Sequence, residues 1–184
     1  MSKFFRSERK RKFLLLLERG VALGLTRSVG KQKQIIKNLS KELRDIERRY
    51  LYRYIDAFYH ERLVDYREHQ DGSITVVLTE KGKQRTLRYQ IEALAIAKPK
   101  RWDGRWRVVL FDIPENRRRI RDALRHKLKE LGFCEWQKSV FVHPYPCFDE
   151  LNFVIEFFEA RPYVRLAEIT KATNDSELRL HFDL

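Results

Sequence analysis

The chain has 184 residues, 43% of them hydrophobic, and a formal net charge of +13. That length accommodates one medium domain or two small ones, and the apolar fraction sustains a packed core, which excludes a disordered chain. So large a positive charge points to an anionic partner, nucleic acid or a membrane surface, unless it serves solubility alone.

The charge is unevenly spread. Residues 1–100 hold 24 Lys and Arg against 12 Asp and Glu, whereas the remainder holds 15 against 14. Two halves with such different balances do different jobs, and the first carries nearly all of the electrostatic attraction. The two cysteines, Cys134 and Cys147, are too few and too far apart for a zinc site. Their apolar surroundings make them buried free thiols, as in a reducing compartment. The apolar run Phe13-Leu14-Leu15-Leu16-Leu17 is ended by Glu18-Arg19, too soon for a signal segment or a membrane span. A cytoplasmic protein with no membrane partner is expected.

In chain order, Ser7 to Leu17 reads as a helix, and Gly20, Gly24 and Gly30 mark a looser stretch after it. Gln32 to Glu47 reads as a second helix, with Ile35, Ile36, Leu39 and Leu43 at helical spacing. From Arg48 to Arg62, Leu51, Tyr54, Ile55 and Phe58 form one apolar stripe, while Arg48, Arg49, Tyr52, Arg53 and Tyr59 fall mostly off it. Arg forks onto guanine or phosphate and Tyr donates to phosphate, so this helix is a candidate reader of double-stranded DNA. The alternative is an amphipathic helix with a solvated charged face.

Leu63 to Arg67 alternates as a strand, Asp71-Gly72 is a hairpin-turn dipeptide, and Ile74 to Leu78 is a β-branched strand. Thr79-Glu80-Lys81-Gly82-Lys83 then opens a helix that runs to about Ala95. The segments Leu51-Tyr52-Arg53, Leu63 to Arg67, Asp71-Gly72 and Leu78-Thr79-Glu80-Lys81-Gly82 resemble winged helix-turn-helix regulators. The resemblance implies a recognition helix in the major groove and a wing, here about Arg67 to Ser73, on the backbone or minor groove. The DNA-binding candidates of this half are Arg48, Arg49, Tyr52, Arg53, Tyr59, Arg67, His69, Lys81 and Lys83.

Pro99 ends the helical pattern and divides the chain into residues 1–98 and 99–184, with Lys98, Lys100 and Arg101 at a basic hinge. Beyond it, Arg107 to Ile113 is a strand, Asn116 to Leu131 a helix closed by Gly132, and Phe133 to Gln137 and Ser139 to His143 two strands. Phe148 to Phe158 is a helix, Val164 to Thr170 a strand and Glu177 to Phe182 a fifth strand. The fold class is therefore α+β, an N-terminal winged helix-turn-helix joined to a ferredoxin-like domain of βαββαβ order plus an extra strand.

Within the helix Asn116 to Leu131, Arg117, Arg118, Arg119, Arg121 and Arg125 cluster in the first half. Cations at the positive end of a helix are unfavourable, so an anion such as DNA phosphate would relieve them. A solvated helix face is the alternative. The five histidines lack metal-ligand spacing, and the three tryptophans read as packing residues.

Four stretches together carry a second resemblance: Trp102-Asp103-Gly104-Arg105-Trp106 through Phe111-Asp112-Ile113-Pro114-Glu115, then Arg117-Arg118-Arg119, then Leu131-Gly132-Phe133, then Gln137-Lys138-Ser139-Val140-Phe141-Val142. They resemble the middle domain of PaaX-type regulators, a domain itself similar to the small dimeric CRISPR-associated nuclease family (Cas-two). With the winged-helix half included, the resemblance spans about residues 20–184. It implies a homodimeric transcription regulator, with the strand Glu177 to Phe182 crossing to the partner's sheet. PaaX-type proteins repress catabolic operons in response to an acyl-CoA and carry a further C-terminal domain, which a chain stopping at Leu184 is expected to lack.

The CRISPR-associated side of the resemblance implies a different activity, a metal-dependent endonuclease or a spacer-integration subunit partnered by a CRISPR integrase. There Asp112 would face its mate across a dimer axis and hold Mg²⁺, which could activate water. No other cofactor is implied. Read without the family, Asp112 could instead cap the helix near Asn116 or close the turn before it.

Overall fold

The structure is a computed structural model that describes residues 3–18, 23–26, 48–68, 70 and 73–184. It divides into two units, Met1–Glu92 and Ala93–Leu184. The helix expected over Gln32 to Glu47 lies outside the described residues.

In the first unit, helix α1 (Lys3–Glu18) has no Gly or Pro to interrupt it, and it turns Phe13, Leu14, Leu16 and Leu17 inward. Helix α2 (Arg48–His60) meets them with Tyr54, Ile55 and Phe58. The Phe13 ring stacks on Phe58 with centroids 5.9 Å apart and lies 6.4 Å from Tyr54. Each such side chain contributes about 1.5–3 kcal/mol by leaving water. Strands β1 (Leu23–Thr26), β2 (Val64–Glu68) and β3 (Ser73–Leu78) make an antiparallel sheet in the order β1-β3-β2. Strand β1 falls in the stretch expected to be loose. Gly24 masks it locally, and it is held by long-range pairing, Leu23 opposite Val76 and Leu25 opposite Ile74.

The string Leu78-Thr79-Glu80-Lys81-Gly82 has a physical basis. Thr79 stands just before helix α3 (Glu80–Ala93), and its hydroxyl oxygen accepts from the Gly82 N–H at 3.0 Å, satisfying one otherwise orphaned donor of the first turn. The same hydroxyl donates to the Arg62 carbonyl at 2.7 Å. Gly82 is required by closeness: a Cβ there would stand 2.0 Å from the Leu63 carbonyl oxygen, a backbone atom that cannot swing aside.

In the second unit, β4 (Trp106–Phe111), α4 (Arg118–Glu130), β5 (Cys134–Gln137), β6 (Val140–His143), α5 (Phe148–Phe157) and β7 (Val164–Ile169) follow the expected βαββαβ order. The sheet is antiparallel in the order β5-β6-β4-β7, so β4 is central. Buried Leu124 and Leu128 of α4 and Leu151, Val154 and Ile155 of α5 supply its core with Val109, Phe111 and Phe141. Trp106, Val108 and Val142 gather in a separate cluster with Leu178.

That cluster corrects one expectation. Glu177 to Phe182 is not a fifth strand but part of helix α6 (Asp175–Phe182). The alternation of Leu178, Leu180 and Phe182 imitates a strand, yet Leu180 is 81% exposed, while Leu178 and Phe182, one helical turn apart, pack on the sheet. Acidic Asp175 and Glu177 suit the helix start. Asp175 also accepts from the Trp106 indole N–H at 2.8 Å and pairs with Arg179 at 2.6 Å.

The Trp-Asp-Gly-Arg-Trp-Arg string is the frame for this docking. Arg107 is 4% exposed, and its guanidinium forks onto Asp103, with Nη1–Oδ1 2.8 Å and Nη2–Oδ2 2.5 Å. It also donates to the carbonyls of Arg105 and Pro144 and lies 3.4 Å from Glu168. The Trp102 indole donates to the same Pro144 carbonyl, the Trp136 indole to Asn174 just before α6, and Arg179 stacks 4.6 Å from the Trp102 ring.

Four helices close alike. At Arg62, Gly132, Glu159 and Asp183 φ is positive, and the next residue's N–H reaches back to the carbonyl five residues earlier. Gly132 takes the place predicted for a C-terminal glycine. The other three sites hold the left-handed turn without one.

Three outcomes are expected. Gly82→Ala should lower the stability of the first unit by about 2 kcal/mol or more through steric overlap, read from urea unfolding. Asp103→Ala strands the buried Arg107 charge and should cost the second unit about 2 kcal/mol, less than a fully buried pair because the carboxylate is partly solvated. Acid should weaken the second unit in two windows. Burial pushes His143 down to about 4, so between about pH 6.5 and 4 the unfolded chain takes up a proton that the folded one refuses, and stability falls. Below that range, Asp103, held low by the Arg107 hydrogen bond, and Asp175, held low by the Trp106 indole, lose their contribution as they protonate. In urea midpoints measured against pH, His143→Asn should flatten the upper window alone.

Candidate nucleic-acid interface

The candidate reader helix α2 buries Tyr54, Ile55 and Phe58 and leaves Arg53 and Tyr59 on the exposed side, Tyr59 at 45%. Asp56 and His60 share that side, 3.5 Å apart. Arg48, Arg49 and Tyr52 belong to the first turns of the same helix. Immediately after it the chain turns at Arg62 and Leu63 into β2, an edge strand that presents an exposed Arg67. His69, Asp71 and Gly72, between β2 and β3 in the sequence, lie outside the described residues.

The basic residues outside α2 fall into two groups by partner. Lys81 donates to the Glu61 carbonyl at 2.9 Å, tying α3 to the end of α2, and Lys83 pairs with Glu80 at 2.6 Å. Lys10 of α1 pairs with Glu61 at 3.7 Å and lies over Phe58, while Arg11 donates to the Tyr89 carbonyl and stacks on its ring. The basic run of α1 thus partly holds the unit together.

The Arg cluster of α4 divides in the same way. Arg121 pairs with Glu115 at 2.8 Å, Arg118 with Asp122 at 3.4 Å and Glu115 at 3.9 Å, and Arg125 with Glu135. Glu135 is held below the usual carboxylate range by Lys129 and then Arg125. Arg117 lies over the Tyr163 ring at 5.6 Å, and both Arg117 and Arg119 are exposed with no carboxylate partner among the described residues. The sequence shows five clustered cations; the structure leaves two of them without a carboxylate among the described residues.

Asp112 follows directly on β4, with its N–H on the Tyr163 carbonyl at 3.0 Å. Its carboxylate is exposed and does not cap the turn Glu115–Arg117, whose N-cap position is Pro114. It lines an open pocket of about 580 Å³ together with Leu110, Phe111, Lys138, Ser139, Val140, Pro162, Tyr163 and Arg165. A hard divalent cation needs several oxygen ligands. Here one chain supplies a single carboxylate beside two cations, and among the described residues no three His, Cys, Asp or Glu side chains gather as a metal site. The donor set of one chain does not fit Mg²⁺, and no metal-dependent step is derived from it. Lys138, Ser139, Tyr163 and Arg165 were not among the sequence-derived candidates. Lys138 and Ser139 sit inside the Gln137–Val142 string, whereas Arg165 reaches the pocket only through sheet register.

Both cysteines are free, Cys147 buried and Cys134 partly so, and burial pushes the Cys147 thiol up to about 12. Among the described residues no helix is long and apolar enough to cross a membrane. Residues 99–180, which fall in the second unit, match the family model described as PaaX protein central Cas2-like domain. No curated protein matches the chain.

Proposed function

We propose that the chain is a DNA-binding transcription regulator of the PaaX kind, whose first unit reads duplex DNA as a winged helix-turn-helix and whose second unit pairs two copies. The observation that carries the reading is the β1-β3-β2 sheet, with amphipathic α2 leading directly into the β2–β3 hairpin, in the half of the chain that holds nearly all the net charge. Helix α2 would enter the major groove, with the hairpin as a wing beside it. Arg53 and Tyr59 lie on the side of α2 that the core leaves open, and Arg67 lies on the hairpin.

The match of residues 99–180 to the PaaX central Cas2-like domain supports a regulatory role, and the working form in this reading is a homodimer. Two copies would read two half-sites related by the dimer axis. Of the five clustered arginines, Arg117 and Arg119 would be the ones to add backbone contacts, because Arg118, Arg121 and Arg125 already face carboxylates.

Selection of bound sequences from random duplexes at near-physiological salt is expected to return a two-part site. Affinity for it should fall steeply with salt, and Arg67→Ala should reduce the log–log slope by about 0.9 if it contacts one phosphate. Arg53→Ala should relax selectivity at one position of each half-site. Equal affinity for every duplex in the pool would refute the regulator.

A further inference from the structure

The sheet of the second unit has one face that is only partly covered. Leu110 on β4 stands opposite Val140 on β6 and Arg165 on β7. Directly paired residues share a face, and by the pleat this is the face of Trp106 and Val108. Helix α6 covers the Trp106–Val108 end through Leu178 and Phe182. Leu110 stays 38% exposed and, with Val140, floors the open pocket at the other end.

The charges around that floor are unbalanced. Lys138 has no carboxylate partner among the described residues. Arg165 gives Nη1 to the backbone carbonyls of Pro162 and Val164, at 3.2 and 2.9 Å, which neutralise nothing and leave its other N–H groups unspent. Against these two cations the lining holds one carboxylate, Asp112, and it adds the hydroxyls of Ser139 and Tyr163. Arg117, stacked on the Tyr163 ring, brings a third cation to the rim. The turn between β5 and β6 keeps Ser139 at φ +72°, a left-handed conformation unfavourable for serine, and the Phe111 N–H holds it there through the Ser139 carbonyl at 3.0 Å. That bond fixes Lys138 and Ser139 beside the end of β4.

We propose that this pocket binds phosphate, with Lys138 and Arg165 as counter-charges and the Ser139 and Tyr163 hydroxyls as donors. Its partly apolar walls strengthen the field of the two cations. Asp112 works against the anion, so the pocket is tuned to modest affinity rather than built as a metal site. The phosphate could belong to a nucleic-acid backbone or to a small phosphorylated molecule, since the recognising chemistry is the same. The inference is independent of DNA reading by the first unit.

The test uses the full chain, titrated calorimetrically with inorganic phosphate in one arm and with a short duplex DNA in the other. Asp112→Asn is expected to tighten phosphate binding several-fold, and Lys138→Ala combined with Arg165→Ala to weaken it at least tenfold. Lys138→Ala alone, in an exposed turn, should weaken it about threefold and serves if the double variant does not fold. Loss confined to the duplex arm assigns the site to backbone phosphate, and loss confined to the inorganic phosphate arm assigns it to a small phosphorylated ligand. Variants indistinguishable from the parent chain in both arms would overturn the proposal, as would Mg²⁺ binding that disappears in Asp112→Asn. Duplex affinity from the first unit should survive these substitutions, so failure here leaves the regulator reading standing.

Discussion

The second unit is organised around a charge that water does not reach. Arg107 sits in the central strand of the sheet, and burying its guanidinium is affordable because Asp103 receives it in a two-pronged bond while two backbone carbonyls also accept from Nη1. The turn carrying Asp103 is thereby fixed, and with it Trp102, which shares the Pro144 carbonyl with Arg107. Trp106, next in the strand, reaches Asp175 at the start of α6. One ion pair therefore orders the loop before the sheet and the helix that covers part of it. The Trp-Asp-Gly-Arg-Trp-Arg string, suggestive of a family in the sequence, builds this scaffold.

Much of this was legible in the sequence, and what was not has a common cause. The elements of the βαββαβ succession were readable because each carries its own periodicity, as in Leu124 and Leu128 of α4 or Leu151, Val154 and Ile155 of α5. Strand β1 escaped because four residues containing Gly24 have no local signature and depend on β3 for their hydrogen bonds. Helix α6 was misread because Leu178, Leu180 and Phe182 fit a period of two, and only the docking partners Trp106 and Trp136 select the helical alternative. Arg165 was missed as a pocket residue for the same reason, since its neighbour Leu110 is 55 positions away in the chain and adjacent only in register. The three helix ends turned by Arg62, Glu159 and Asp183 likewise lack the glycine that would announce them, whereas Gly132 was readable.

Charge counting was informative about the halves and misleading about individual residues. The excess in residues 1–100 is a property of composition, but Lys10, Arg11, Lys81 and Lys83 each have an internal partner, and three of the five arginines of the α4 cluster face carboxylates. A run of like charges in sequence overstates the field it projects when acidic residues one helical turn away, or on an adjoining strand, return to meet it. Arg117, Arg119, Lys138 and Arg165, which have no carboxylate partner among the described residues, are spread over different elements of the second unit, whose net charge is far smaller than that of the first half.

The placement of the indoles has an optical consequence. All three tryptophans of the chain, Trp102, Trp106 and Trp136, lie in the cluster against which α6 docks, and two of them donate directly to Asp175 and Asn174 at its start. The first unit has none. Ultraviolet emission of the whole protein, excited where only indole absorbs, is thus a single-locus reporter: it arises from the cluster on which the last helix is seated. Any ligand that shifts that emission has acted, directly or at a distance, on the second unit.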